Sequence, residues 1–226
     1  MDWSQRYAPT FVISVALSLL FPHLAAATGG SYFVDDATVT PAGHCQVESW
    51  ARWLPQGSYD ATTVPACSTE ALEFSATLVG RVGPESSHSE GLGIKHVFGD
   101  LEKDGVSWGM ATNALVTNGR IAVANVYAPV SFALTGDQNW VLDVNAGFQR
   151  TETPDWHALI GAALEFQFAS GWRVIGEGLR NGARVRTLQA GVRRTLIKDV
   201  DLDVVAGRTH DTTTEQWMTL GVNVGW

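Results

Sequence analysis

Gln216-Trp217-Met218-Thr219-Leu220-Gly221-Val222-Asn223-Val224-Gly225-Trp226 closes the chain. Successive strand side chains point to opposite sides, so Met218, Leu220, Val222, Val224 and Trp226 share one face and Thr219, Gly221, Asn223 and Gly225 the other. A last strand that is apolar on one face, small or polar on the other, and that stops on an aromatic fits the closing strand of a transmembrane β-barrel. Its apolar face meets lipid and its alternate residues meet a polar lumen. Trp226 is then expected to belong to the C-terminal insertion signal read by the barrel-insertion machinery.

The other end of the chain supplies a compartment. After Arg6, residues 11–21 form a short apolar core that runs into Pro22 and the small-residue site Ala25-Ala26-Ala27. That is the layout of a cleaved secretory signal, too short to span a bilayer comfortably, although Asp2 offsets Arg6 in the leading segment. The expected division is a signal peptide over residues 1–27, a periplasmic N-terminal segment over 28–43, and an outer-membrane barrel over 44–226. An uncleaved anchor is the alternative at the N-terminus.

Beyond that core, the sequence has no run near the ~20 apolar residues of a membrane helix. Yet it is 45% hydrophobic, with nine Trp, 23 Gly and a mean hydropathy of +0.02. A barrel needs only every second residue apolar, so its average stays near neutral. The net charge of −8 argues against nucleic acid as a partner. The two cysteines, Cys45 and Cys67, are expected to be joined in an oxidising compartment.

Alternation with turn residues between segments recurs upstream of the last strand. It gives ten strands between Ala71 and Trp226, the weakest over residues 106–115, and one of them contains the unusual Pro129. Residues 45–67 read as a symmetrical hairpin about Pro55-Gln56-Gly57, in which position i faces 112 minus i and Cys45 faces Cys67. The total is twelve, and the fold class is an all-β antiparallel transmembrane barrel. Connections this short predict a bare barrel without a loop plug. Trp140, Trp156, Trp172, Trp217 and Trp226 lie at or near strand ends, as in an interfacial girdle. A secreted β-sandwich is the competing fold.

One short stretch carries a family resemblance. Asp35-Asp36, then six residues, Gly43, two residues, and Gln46-Val47-Glu48 resemble the opening of outer-membrane transporter-like proteins of the meta-pathway phenol-degradation type. The resemblance covers about 16 residues and implies a small barrel with a transport role for organic or aromatic compounds. Cys45 departs from the family's pattern. The same residue types also suit Asp35 and Asp36 capping a periplasmic turn.

With apolar faces turned to lipid, the lumen is expected to receive Gln46, Glu48, Arg52, Glu73, Arg81, Lys95, Asp143, Asn145, Glu165, Gln167, Arg173, Glu177, Gln189, Arg193, Asp201 and Asp203. Both signs occur in comparable numbers. Charges in a low-dielectric shell must pair or stay hydrated, so Glu165 with Arg173, and Arg193 with Asp201 and Asp203, are expected as cross-strand pairs. Such a lumen either selects small solutes by size and charge or serves only to hold a closed structural barrel rigid. Arg180, Arg184 and Arg186 sit at an outer turn and are expected to meet lipopolysaccharide phosphates.

Enzymatic readings fare poorly. A barrel hydrolase needs a Ser and a His in hydrogen-bond reach with a third orienting group. His88 beside Ser89, and His157 near Glu165, do not make that set. His44 next to Cys45 lacks the spacing of a metal site. The expected partners are outer-membrane lipid, lipopolysaccharide, the insertion machinery and a small solute, with no cofactor.

Overall fold

The computed structural model describes residues 30–226 apart from 85, 153–154, 183–184 and 212. The expected signal peptide, its cleavage at Ala27, and Arg184 lie outside the described residues. Twelve antiparallel strands close into one barrel, each paired with its neighbours in sequence and β1 with β12. The strands are β1 (Cys45–Trp53), β2 (Tyr59–Thr69), β3 (Leu72–Val82), β4 (Ser87–Gly99), β5 (Val106–Thr117), β6 (Arg120–Ala133), β7 (Trp140–Arg150), β8 (Trp156–Ala169), β9 (Trp172–Asn181), β10 (Val185–Ile197), β11 (Val200–His210) and β12 (Thr214–Gly225). A single turn of helix, α1 (Leu101–Asp104), joins β4 to β5 and is capped by the Asp100 side chain.

The first hairpin has the expected register. Cys45 lies opposite Cys67 and Trp53 opposite Tyr59, around a tight turn at Pro55–Gly57. Cys45 and Cys67 are bonded as a disulfide at the end of the barrel that also holds the start of β1 and the end of β12. That end is called the terminal end here, and the opposite one the loop end. At the loop end, Asn118 and Gly119 join β5 to β6 with φ of 52° and 75°, the pair of positive angles that a two-residue hairpin demands.

Closure explains the surface. Leu92 is 73% exposed, and Met218 and Trp226 are each 61% exposed, all on the outward parity of their strands. The sheet closes on itself and leaves no second sheet to cover these side chains, which excludes the sandwich. Trp140 stacks on Phe166, and Phe98 on Trp108, on the outer face near the terminal end. Trp217 departs from the expected girdle. It has the parity of Thr219 and Gly221, is 7% exposed, and points inward. Pro129 also faces inward and interrupts the β5–β6 ladder, whose pairs resume on either side of it.

The main difference from expectation concerns residues 28–43. The stretch from Ser31 to Thr40 is not outside the barrel but within it, hydrogen-bonded to wall side chains from β3 to β11. The lumen is therefore not bare. What enters it is the N-terminal segment rather than a long loop.

Candidate functional site in the barrel interior

The interior wall is made by strand parity. Residues on the inward positions of adjacent strands meet directly across the ladder, and several of them make cross-strand pairs. Arg193 and Asp203 are opposite one another on β10 and β11 and form a bidentate ion pair at 2.7 and 2.8 Å, with side-chain exposures of 3% and 0%. Arg173 reaches Glu165 at 3.1 Å. Arg81 holds Asp60 at 2.7 and 2.8 Å. Asp201, opposite Thr195, accepts from its hydroxyl at 2.6 Å.

Residues 31–40 cross this wall as an arch. Gly30 packs against Asn223 and Glu48 near the terminal end. Ser31 donates to Asp203 at 2.8 Å, and Gln189 donates to the Ser31 carbonyl at 3.0 Å. The backbone N–H groups of Phe33 and Val34 donate to the two oxygens of Glu177 at 2.6 and 3.0 Å. The Asn145 amide pairs with both polar backbone groups of Asp35, at 2.8 and 2.7 Å. Ala37 donates to Ser131 and accepts from Ser107, each at 2.8 Å. Thr40 then returns to Glu73, at 2.9 Å through its N–H and 2.6 Å through its hydroxyl. An extended segment with no strand partner must satisfy its backbone some other way, and here lumen side chains replace the ladder.

Charge and packing hold the arch as well. Lys95 lies 2.8 Å from Asp35 and 3.3 Å from Asp36, and Tyr127 donates to Asp35 at 2.9 Å. The two aspartates thus grip an interior lysine, and Asp36 also caps its own turn by accepting from the Thr38 N–H at 3.1 Å, within the barrel rather than outside it. Tyr32 and Val34 bury against the inward apolar residues Ala163, Ile175 and Val205. Small residues make room for them: a Cβ on Gly161 would come within 3.0 Å of Val34, and one on Gly191 within 2.8 Å of the Tyr32 hydroxyl. Burial, reinforced by the charge of Asp203, holds that hydroxyl protonated far above the usual phenol range.

At its top the arch meets the loop-end half of the interior. The Arg52 guanidinium lies over the rings of Phe33, at 4.6 Å, and Trp217, at 5.4 Å, while its Nε donates to Thr219 at 3.4 Å. Beyond this cluster the wall carries hydrogen-bonded polar pairs: Asn113 with Asn125, Ser89 with Thr117 and Thr187 with Thr209 on adjacent strands, and Asn181 with Gln149 across β8. The loop-end half is a polar vestibule, and the arch narrows the half below it.

Gln46 shares the strand parity of the buried Glu48 on β1, and Gln167 lies opposite Arg173. Sequence reasoning missed Asp60, Tyr127, Ser131, Trp217 and the arch itself. Inward Leu159, Ile175 and Val205 were the available signal, since apolar side chains on a wet wall require a cover. The arch also alters the charge balance. By adding Asp35 and Asp36 and recruiting Asp60, the interior has more carboxylates than cations. His88 and Ser89 point to opposite faces, and His157 is eight residues along β8 from Glu165, about 26 Å. A concavity of about 660 Å³ is lined by residues of β1–β4, β11 and β12, among them Ser49 and Thr63, which hydrogen-bond to each other at 2.9 Å.

A family model described as Uncharacterised conserved protein UCP029691 matches residues 16–226. The chain belongs to this family. Comparison with curated proteins found no match. Among solved structures, the UCP029691 chain is similar to the KdgM porin, with a TM-score of 0.66 and 8% identity over 79% of this chain and 98% of that one. It is also similar to the COG4313 outer membrane channel from Pseudomonas putida F1, with a TM-score of 0.58 and 8% identity over 84% of this chain and 98% of that one. At such identity the likeness establishes the fold: this member of the family is a porin-like barrel.

Proposed function

We propose that the chain is an outer-membrane channel for small solutes in which residues 31–40 form the constriction. One observation carries this reading: a polar, charge-bearing vestibule opens above the arch, inside a cylinder whose outside is apolar. Solutes enter at the loop end, meet Arg52 and Arg81, and pass the arch toward the terminal end, which faces the periplasm. A Gram-negative outer membrane is the location proposed for it, a reading supported by the porin-like fold and by the secretory-signal pattern of residues 1–27.

The solute class follows from the wall. An excess of carboxylates around the arch favours cations and neutral polar molecules over anions. KdgM is known in complex with disordered oligogalacturonate, a polyanion, which supports passage of a polar solute through this barrel shape but not the charge preference, which here rests on the carboxylates of this wall. The Asp35-Asp36 to Glu48 motif supports organic or aromatic compounds, as in the meta-pathway phenol-degradation type that it resembles.

Planar-bilayer recording of the refolded chain tests the channel. Discrete, cation-selective steps are expected, with larger steps once residues 28–42 are deleted. Glu177→Ala and Arg173→Ala should shift the reversal potential. The second reading is a closed structural barrel, favoured by the buried Arg193–Asp203 pair and by the filling of the lumen with the arch. Silence from both the full chain and the shortened one establishes that second reading and removes the first.

A further inference from the structure

We propose that the outward face of β9–β11 at the loop end is a binding site for the phosphate groups of a lipid A-type glycolipid. The inference rests on the outer-membrane reading above. Arg180 on β9 lies opposite Arg186 on β10, and Arg186 lies opposite His210 on β11. One step further down the same face, Arg208 lies opposite Leu188. All four basic side chains are exposed and share the outward parity of Leu188, Ala190, Val204 and Ala206.

Neighbouring strands are ~4.8 Å apart, and like charges placed directly opposite one another are destabilising. Arg180 and Arg186 face each other in this way, an arrangement that an anion stabilises. Around Arg186 and Arg208, the described outward positions of the neighbouring strands hold no carboxylate, with Ala158 and Ile160 on β8 and Thr214 and Gln216 on β12. Arg180 donates to the Gly182 carbonyl at 3.0 Å, and the His210 ring bonds Thr214 at 2.9 Å. Among the described residues, neither Arg186 nor Arg208 makes an ion pair.

The ligand's chemistry follows from the level of the patch. Immediately below the row the surface turns apolar, with Leu188, Ala190, Ala206 and Met218 side by side. Guanidinium groups bind phosphate oxygens through paired charge-assisted hydrogen bonds. A basic row directly above a hydrocarbon-facing wall therefore suits a headgroup phosphate whose acyl chains lie along that wall. A free phosphate gains only the upper half of this arrangement. Arg184, named with Arg180 and Arg186 from the sequence, lies outside the described residues.

Native mass spectrometry of the refolded chain in detergent tests the site, with bisphosphorylated lipid A, lipid A stripped of its phosphates, and inorganic phosphate as probes. Bisphosphorylated lipid A is expected to stay bound and the stripped form to be lost. The Arg186→Gln/Arg208→Gln variant should bind at least tenfold more weakly, with Arg186→Lys/Arg208→Lys in between. Equal binding by the glutamine variant, equal binding of stripped lipid A, or retention of inorganic phosphate alone overturns the proposal. Gel mobility of boiled and unboiled samples is read in parallel. An absent shift sinks the outer-membrane reading itself, whereas a normal shift with no lipid A bound sinks only this site.

Discussion

Lys95 and Asp35 form a 2.8 Å ion pair in the barrel interior, tying the N-terminal arch to the inward face of β4. Asp36 lies 3.3 Å from the same ammonium, so one lysine compensates two carboxylates. Removing it leaves both acids facing a low-dielectric wall. Lys95→Met is therefore expected to cost about 3 kcal/mol, the lower end for a broken buried pair. Urea unfolding in detergent micelles, followed by tryptophan fluorescence, measures it. An unchanged midpoint would show that the pair is hydrated and does not hold the arch.

The Arg193–Asp203 pair has a different signature, because both partners are on the wall and both are buried. Asp203→Asn alone strands the guanidinium and weakens the anchor of Ser31, with an expected loss of about 3–5 kcal/mol. Replacing both residues together, as in Arg193→Met/Asp203→Leu, should cost clearly less than the sum of the single changes. A double-mutant cycle gives the coupling directly, and additive losses contradict it.

Gly161 offers a way to move the arch and leave the ladder intact. A Cβ there would meet the ends of two side chains, Leu179 at 2.8 Å and Val34 at 3.0 Å. Gly161→Ala should push Val34 off Ile175 and loosen the arch, with a stability loss of about 1–2 kcal/mol from overpacking. Bilayer recordings should show noisier, larger currents than the parent chain. Quiet currents of parental size count against the arch as the constriction.

The disulfide joins β1 to β2 on the outward face, away from the lumen. Its closed loop spans 22 positions, and in the chain-entropy model removing it costs about 3 kcal/mol. Cys45→Ser/Cys67→Ser should thus lower the temperature at which the folded band disappears on gels. Conductance should stay as it was. Altered ion selectivity in this variant would mean that the bridge shapes the pore.

Much of the barrel was legible in the chain. The outward faces of β7, β8 and β12 are legible residue by residue, and the 112-minus-i rule by itself puts Cys45 against Cys67. Trp217 was misread because its nearness to a strand end resembled a girdle, although its parity with Thr219 already pointed it inward. The arch could not be read at all. Residues 30–43 have neither a period of two nor one of 3.6, and the partners of Ser31 and Phe33 lie 172 and 144 positions away.

Strand number, facing and apolar exterior were determined by the sequence by itself, since Cβ alternation is a local property that every strand states for itself. What fills the cylinder was decided by tertiary structure alone. Glu177, Asn145 and Glu73 look like ordinary lumen polar residues until closure brings them around one extended segment with unsatisfied backbone groups. Only then do they become its hydrogen-bonding partners, because a peptide within a barrel has no neighbouring strand to complete it.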